Sequence, residues 1–442
     1  MAPEWLCYRL DMLKNTGSAT EAVEKALRRA DQPAAKAVFT HRADSRARAE
    51  AAAADASPRR PPFWGVPTCI KDNVDVAGEV TTAGSKVLAR NPPAAEDAPV
   101  AARLRRAGFI NLGRTNMTEF AFAAIGVNPH YGTPRNPAFS DDRIPGGSSS
   151  GAAVSVALDI VPAAIGSDTG GSVRIPAALC GVTGFKPTFG TITNQGTYPL
   201  ASSVDTIGVL ARGVADCAAM FDVIRDRPGH PRGTPSLKGL RLALIENYVR
   251  KTLDEAVAHA FDAAVARLAE AGAEIEPMTL PEFDEIPELH KNGTMVMAEA
   301  YRFLKDVVRG REAECDPRIV ARILAGEKMA PETYGIIMRR RAELQASIAQ
   351  RLAGVAAYLM PTVAITAPTL AAVAELDAYL AINALILRNA TVVNFMGHCA
   401  ISLPCHAAGA APVGLSVTMT GGKDDALLAT AQVVEQALEF RH

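Results

Sequence analysis

The spacing of apolar residues is helical at the start of the chain and changes near Pro61. Ser18 and Glu21 form a capping box in front of an apolar-periodic stretch, and an alanine-rich, charged stretch occupies 42–56. These patterns predict that residues 1–60 form an outer helical layer.

From that point onward, short β-branched runs alternate with helical stretches. The predicted strands are 66–70, 109–112, 161–166, 240–245, 356–360, 400–403 and 413–418. The predicted helices are 100–107, 151–158, 253–271, most of 292–354, and 425–440. Strands that alternate with helices are typical of an α/β fold. A proline-rich segment over 227–235 is the best candidate for a linker.

Composition narrows the class of protein. Hydrophobic residues make up 48% of the 442 residues and charged residues 21%, so the chain has enough apolar side chains for a large core. The net charge of −1 gives no electrostatic reason to expect binding to nucleic acid or to an acidic membrane surface. The seven cysteines are odd in number and widely spaced, which favours neither a disulfide framework nor a zinc site and fits a reducing cytoplasm.

Neither the N-terminus nor the longest apolar stretch has the pattern of a signal peptide or a membrane span. Glu4, Arg9 and Asp11 interrupt the apolar positions near the N-terminus, which argues against a secretory signal. The stretch 152–165 contains Asp159 and is shorter than a spanning helix requires. We therefore expect a cytoplasmic protein without a membrane segment.

Two loops rich in glycine and serine carry the candidate chemistry. They occupy 146–151 and 167–172 and place Ser148 and Ser172 24 residues apart. A serine among glycines is accessible for nucleophilic attack, and nearby amide N–H groups can stabilise a developing oxyanion, as acyl transfer requires. Lys71 follows a predicted strand, where desolvation would lower its pKa and let it act as a base. The pattern predicts a triad of two serines and a lysine, without histidine.

With these motifs the chain resembles the amidase signature hydrolases. Members of that family carry a Gly-Val-Pro run before the lysine, here at 65–67, and the two glycine-serine loops at this separation. Further matches lie at 114–120, 173–178, 180–181, 184–188 and 205–208, with looser ones at 359–362 and 401–404. Three positions depart from the family pattern, and none belongs to the triad: Ser150, Val209 and the pair His398 and Cys399.

The resemblance implies one α/β domain over residues 1–442, in which a mixed, twisted β-sheet is surrounded by helices. Residues 61–225 would hold the signature core, and 236–442 the rest of the core and the helices of the substrate pocket. The implied activity is hydrolysis of a carboxamide or a related C–N bond, as in amides, anilides and carbamates. The resemblance implies neither a cofactor nor a metal.

The resemblance also assigns roles to individual residues. Ser172 would be the nucleophile, and Ser148 would relay its proton to Lys71, the base. The oxyanion hole would consist of the backbone N–H groups of four consecutive residues, Thr169, Gly170, Gly171 and Ser172. Adjacent glycines suit this role because no Cβ blocks the approach of the oxyanion to the N–H groups.

The substrate is expected to be a small amide-type molecule bound between segments outside the triad motifs. Five residues are candidate substrate contacts: Asn116, Ala121, Ile125, Tyr198 and His398. Asp168 and Arg174 flank the nucleophile loop, and we favour an ion pair that pins the loop over a contact with substrate. The sequence leaves the oligomeric state open, with a homodimer among the options.

Other interpretations of the same motifs remain open. Residues 147–151 also match the Gly-x-Ser-x-Gly nucleophile elbow with Ser149 as nucleophile, but the polar segment 141–145 does not predict the strand that an elbow follows. The amidase subunit of a tRNA-dependent amidotransferase shares these motifs, and release of ammonia from glutamine together with co-purification of a partner would identify it. A catalytically silent binding protein is the third interpretation.

Overall fold

A mixed sheet of eleven strands forms the centre of the protein. The computed structural model describes residues 17–225, 233 and 235–439. Within them the strands are β1 (Phe39–Arg42), β2 (Pro67–Lys71), β3 (Ile110–Thr115), β4 (Ala163–Asp168), β5 (Thr183–Lys186), β6 (Thr206–Ala211), β7 (Arg241–Ile245), β8 (Glu274–Met278), β9 (Ala357–Pro361), β10 (Cys399–Pro404) and β11 (Gly414–Met419).

The strand order across the sheet is β1-β3-β2-β4-β6-β5-β10-β11-β9-β7-β8. Strand β2 pairs in parallel with β3 and β4, and β7 pairs in parallel with β8 and β9. The pairs between these two groups are antiparallel. Strands β2 and β4 are therefore neighbours, and their carboxyl ends bring the segments after residues 71 and 168 to the same edge of the sheet.

Helices cover both faces of this sheet. They are α1 (Ala19–Ala30), α2 (Asp44–Ala56), α3 (Pro99–Ala107), α4 (Ser150–Ala157), α5 (Arg174–Cys180), α6 (Val214–Ile224), α7 (Glu255–Glu270), α8 (Pro281–Leu289), α9 (Met295–Val308), α10 (Pro317–Ala325), α11 (Pro331–Arg351), α12 (Leu376–Met396) and α13 (Asp424–Leu438). Because side chains alternate along a strand, Ile70 and Ile165 join the core with α3, α6, α7 and α13, whereas Cys69 and Ala164 join the core with α1, α2, α4 and α5. The expected mixed sheet surrounded by helices is confirmed.

The N-terminal layer is not purely helical. The capping box before α1 is present, with the Glu21 N–H donating to Ser18 Oγ at 3.0 Å. Between α1 and α2, however, residues 39–42 form the edge strand β1, which pairs antiparallel with β3. The exposed edge of β3 offers backbone partners that the local sequence pattern does not reveal. The predicted linker at 227–235 lies almost entirely outside the described residues.

The hydrophobic pattern did not predict α12, because apolar residues occupy most sides of this helix. Among the described helices it is the one long and apolar enough to cross a membrane, a test that a core helix also passes. Its polar side chains hold loops of the sheet: Asn389 donates to the carbonyls of Val249 and Pro361, and Asn394 donates to Asp168. Helix α12 is therefore a packed part of the core.

The loop between β4 and α5 is fixed by an ion pair and by a glycine. Asp168 and Arg174 are fully buried and form a salt bridge at 3.1 Å, which confirms the expected ion pair. Gly171 has φ +118°, and a Cβ there would lie 2.4 Å from the Cβ of Ala390 in α12. In contrast, a Cβ on Gly170 would meet its nearest neighbours at 3.5 Å, an ordinary contact distance.

Gly171→Ala should therefore destabilise the protein, whereas Gly170→Ala should not. The first change combines an unfavourable backbone conformation with an overlap, and we expect it to lower the free energy of unfolding by about 2–5 kcal/mol. The second should change it by about 1 kcal/mol or less. Urea denaturation of both variants measures the difference, and equal stabilities would contradict the packing described for this loop.

Candidate active site

Lys71 is the last residue of β2, and its side chain lies on the α4 side of the sheet. It is fully buried. Its Nζ donates to Ser167 Oγ at 2.8 Å and to the Ser167 carbonyl at 3.4 Å, and it lies 2.7 Å from Ser148 Oγ. Asn73 also donates to Ser167 Oγ, at 3.0 Å, so this hydroxyl accepts hydrogen bonds from both sides.

Burial lowers the pKa of the Lys71 ammonium to about 7, although the negative charges of Asp168 and Asp205 oppose the shift. A neutral amine has two N–H donors and one lone pair. The two acceptors on Ser167 match the donors, and the Ser148 hydroxyl lies where it can donate to the lone pair. The surroundings of Lys71 therefore suit a lysine that is neutral near pH 7.

The first glycine-serine loop leads from Ser148 into α4. The Gly147–Ser148 peptide bond is cis, and Ser148 is fully buried. The next residue, Ser149, has its hydroxyl within hydrogen-bond distance of the backbone of Ser167 in β4, at 3.2 Å from the carbonyl. No strand lies between residues 120 and 148, all of which the structure describes, so the strand that precedes a nucleophile elbow is absent here.

The second loop carries Ser172, which is close to the first loop because the Ser149 N–H donates to the Ser172 carbonyl at 3.1 Å. Within this loop, the Gly171 N–H donates to Asp168 Oδ1 at 2.8 Å, so one of the four N–H groups expected in the oxyanion hole already has an acceptor. Thr169 Oγ1 donates to Asp205 at 2.6 Å.

The carboxylates behind the loop have opposite pKa shifts. Burial alone would raise the pKa of Asp168, but the charge and hydrogen bonds of Arg174 outweigh it and hold this pKa well below its usual range. For Asp205, burial raises the pKa to about 6 against hydrogen bonds from Thr169 and from the backbone of Leu200 and Ala201. Asp168 thus stays ionised, and Asp205 titrates just below neutrality.

A cavity of about 340 Å³ opens onto the second loop. Thr169, Gly170 and Ser172 line it, together with residues 121–123, the segment that contains α8 and the start of α9, one side chain of α10, and one side of α12. Most of its walls are apolar. A cavity of this size suits a small organic molecule.

The charged side chains of the described residues that line this cavity are all positive. Arg322 and Arg388 line it, and no Asp or Glu does so among the described residues. Burial lowers the pKa of both guanidinium groups, which nevertheless stay protonated at neutral pH. His290 also lines the cavity, and burial lowers its pKa to about 4, so this imidazole is neutral at pH 7.

Ala121 is the one of the five candidate substrate contacts that lines this cavity. Asn116 instead donates to the carbonyls of Ala37 and Gly132, and Ile125 is buried in a hydrophobic core cluster. Ile125 shares this cluster with Ala121, whereas Asn116 binds the backbone of residues that do not line the cavity.

Tyr198 and His398 also lie outside the cavity lining. The ring of Tyr198 stacks on Phe120, with ring centroids 6.3 Å apart. His398 is buried, shares a hydrogen bond of 2.9 Å between its Nδ1 and the Tyr358 hydroxyl, and has a pKa lowered to about 3 by burial. This histidine is a satisfied, neutral core residue.

The sequence motifs did not identify several residues of the site. Ser167 begins the second glycine-serine loop and Asn73 lies two residues after Lys71, so their positions near the ends of β4 and β2 could have indicated contacts with Lys71. Arg322, Arg388 and His290 come from helices or segments far away in sequence, and no local pattern distinguishes them from surface residues.

Within residues 17–225, 233 and 235–439, no group of three or more His, Cys, Asp or Glu side chains is arranged to hold a metal ion. The six cysteines in that part of the chain are free and buried. One of them, Cys180, lies in the core, where burial raises the pKa of its thiol.

Comparisons with known proteins identify the family of the chain. The sequence profile of the Amidase family matches residues 21–428. The 2-amino-5-chloromuconic acid deaminase of Comamonas testosteroni is 36% identical over 389 residues, which is 86% of this chain and 83% of that protein. A Glutamyl-tRNA(Gln) amidotransferase subunit of Symbiobacterium thermophilum is 40% identical over 283 residues, or 60% of this chain and 58% of that protein.

Solved structures extend the similarity to nearly the whole chain. A crystal structure of an amidase has a TM-score of 0.87 and 30% sequence identity, with 97% of this chain and 98% of that chain covered. The matched family, the relatives and the fold give one result: the chain belongs to the amidase signature family and is an amidohydrolase that acts on C–N bonds.

Proposed function

We propose that the protein hydrolyses a carboxamide or a related C–N bond through an acyl-enzyme on Ser172, with Ser148 as proton relay and Lys71 as base. The observation that carries this proposal is the buried contact of 2.7 Å between Lys71 Nζ and Ser148 Oγ, beside the loop of Ser172. A lysine with a pKa of about 7 can take a proton at neutral pH, which an ordinary lysine cannot do.

In the first half of the reaction, Ser172 Oγ attacks the carbonyl carbon while its proton passes to Ser148, and the Ser148 proton passes to Lys71. The oxyanion is held by loop N–H groups other than that of Gly171, which donates to Asp168. The proton then returns through Ser148 to the nitrogen of the substrate, the C–N bond breaks, and the amine departs. Water hydrolyses the resulting ester by the same relay.

This mechanism requires no metal or cofactor, since every proton and electron pair is accounted for by the two hydroxyls, the amine and water. Amides, anilides and carbamates all contain the acyl carbon and the leaving nitrogen that it uses. The Comamonas relative is named as a deaminase, which also breaks a C–N bond. A cytoplasmic location fits the free, buried cysteines.

The amidase component of a tRNA-dependent amidotransferase is the second candidate, because one such protein is 40% identical to part of the chain. That alignment covers 60% of the chain, whereas the alignment with the deaminase covers 86%. The broader match favours a free-standing hydrolase. Ammonia release from glutamine that depends on a co-purifying partner would favour the amidotransferase instead.

The pH dependence tests the role of Lys71. Since the base acts in its neutral form, kcat/KM should rise with pH through about 7 and level off above it, and at pH 5 it should be about one-hundredth of the plateau. Lys71→Met should abolish turnover. A slow substrate, for which chemistry limits the rate, is needed for the measurement.

Asp205→Asn is a control for this profile, because Asp205 is a second buried group near the loop, with a pKa of about 6 that lies within the tested range. Its negative charge raises the pKa of Lys71, so the variant should move the rise in kcat/KM to lower pH without removing it. Loss of the pH dependence in Asp205→Asn would assign the titration to Asp205 instead of Lys71. A flat wild-type profile from pH 5 to 9 would contradict the role of Lys71 as base.

An acyl-enzyme on Ser172 should partition between water and a stronger nucleophile. Hydroxylamine present during turnover should therefore divert part of the product to a hydroxamate. Ser172→Ala should abolish both products, and Ser148→Ala should lower them by about 100-fold or more. Ser149→Ala, the matched control in the same loop, should be milder because the Ser149 hydroxyl bonds to the backbone of Ser167.

A fluorophosphonate probe followed by peptide mass spectrometry identifies the nucleophile directly. We expect the label on Ser172. A label on Ser149 would support the nucleophile elbow, and a label on Ser148 would reverse the roles of the two serines.

A further inference from the structure

The cavity that contains Ser172 has positive charge without any counter-charge. Arg322 and Arg388 line it, and no carboxylate of the described residues does. Both side chains are half-buried. A positive charge that is partly withdrawn from water without a counter-charge is costly, and proteins ordinarily pair it or use it to bind an anion. The two arginines therefore point to a ligand that brings the negative charge.

Arg322 is the more available of the two. The guanidinium of Arg388 is partly occupied, since it donates to Asn389 Oδ1 at 2.9 Å and to the Val249 carbonyl at 3.3 Å. Arg322 has no hydrogen bond or ion pair with any described residue, and its Nε is buried without a partner. Its guanidinium carbon lies 4.7 Å from the centre of the Phe122 ring. With one face on this ring, the in-plane N–H groups remain free for a carboxylate.

Arg318, the neighbouring arginine in the same helix, differs from Arg322 because its charge is paired. Arg318 precedes Arg322 by one turn of α10 and forms an ion pair with Asp316 at 2.7 Å. Two further buried nitrogens in the cavity lining, Asn383 Nδ2 and His290 Nε2, also have no hydrogen-bond partner in the described part of the chain. An amide nitrogen is a donor, and a neutral imidazole can be one. The cavity thus has spare donors, for which a ligand would supply the acceptors.

We propose that the substrate is an amide that also carries a carboxylate, and that Arg322 binds this carboxylate while the amide carbon lies at Ser172. Leu200, Val204, Ile286 and Leu387 provide apolar walls of the same cavity, which suit a hydrocarbon spacer between the two polar groups. Arg388 adds positive charge. This assignment rests on the proposed function, because it takes Ser172 as the reacting residue.

Protection of Ser172 from the fluorophosphonate probe tests the assignment without knowledge of the natural substrate. Succinate, glutarate and adipate carry the carboxylate, and the diamides of the same three acids are neutral controls of nearly the same shape. At least one diacid should slow the labelling of Ser172 at a concentration about tenfold below that of its diamide, because a charge-assisted hydrogen bond is lost in the neutral compound.

Arg322→Met should remove this preference, and Arg322→Lys should retain part of it, since lysine keeps the charge but not the planar pair of donors. Arg339→Met, an exposed arginine of α11 outside the cavity, changes the net charge equally and should leave the preference intact. The labelling rate without ligand reports whether each variant keeps its active site. As substrates, the monoamides of the same acids should have a higher kcat/KM than the diamides. The substitutions of Arg322 and Arg339 should affect this ratio in the same way as they affect the protection.

Equal protection by every diacid and its diamide would overturn the assignment of Arg322, as would an unchanged preference in Arg322→Met. Either result could occur with normal labelling of Ser172, in which case the hydrolytic mechanism would stand. Failure of the probe to label Ser172 in the wild type would instead contradict the proposed function itself.

Discussion

The buried ion pair between Asp168 and Arg174 fixes the geometry on which the rest of the site depends. Asp168 ends β4, and its carboxylate accepts the N–H groups of Gly171 and Val173, so the turn that presents Ser172 is shaped around it. Removal of either partner would leave an uncompensated buried charge, which is strongly destabilising. The same carboxylate contributes the negative potential that keeps the pKa of Lys71 from falling further.

Helix α12 contacts both this ion pair and the cavity. The Asn394 side chain bonds to both members of the ion pair, and Ala390 lies against Gly171. Along the same helix, Asn383, Leu387 and Arg388 line the cavity. One helix therefore contacts both the loop of Ser172 and the cavity, and a substitution on the inner side of α12 should affect both.

The cavity and the surroundings of Lys71 differ in their electrostatics. Burial lowers the pKa of Lys71 to about 7 against the opposing charges of Asp168 and Asp205, so that the amine is partly neutral at pH 7. In the cavity, two arginines meet no carboxylate of the described residues, so their charge is available to a ligand. In the proposed mechanism, the first arrangement serves the cleavage of the C–N bond. The second concerns which molecule is bound.

Sequence alone determined the α/β pattern, most strands and helices, and the motifs around Lys71, Ser148 and Ser172, because these depend on local periodicity and on glycines that a tight loop requires. It could not determine β1, whose partner is the distant edge of β3, or α12, whose apolar residues show no face. The pocket likewise came from tertiary structure: Ala121 lines it, whereas Tyr198 and His398 pack elsewhere, and Arg322 reaches it from α10. Which side chains meet in a cavity, and how far burial shifts a pKa, depend on contacts between segments far apart in the chain, and only the folded structure brings those together.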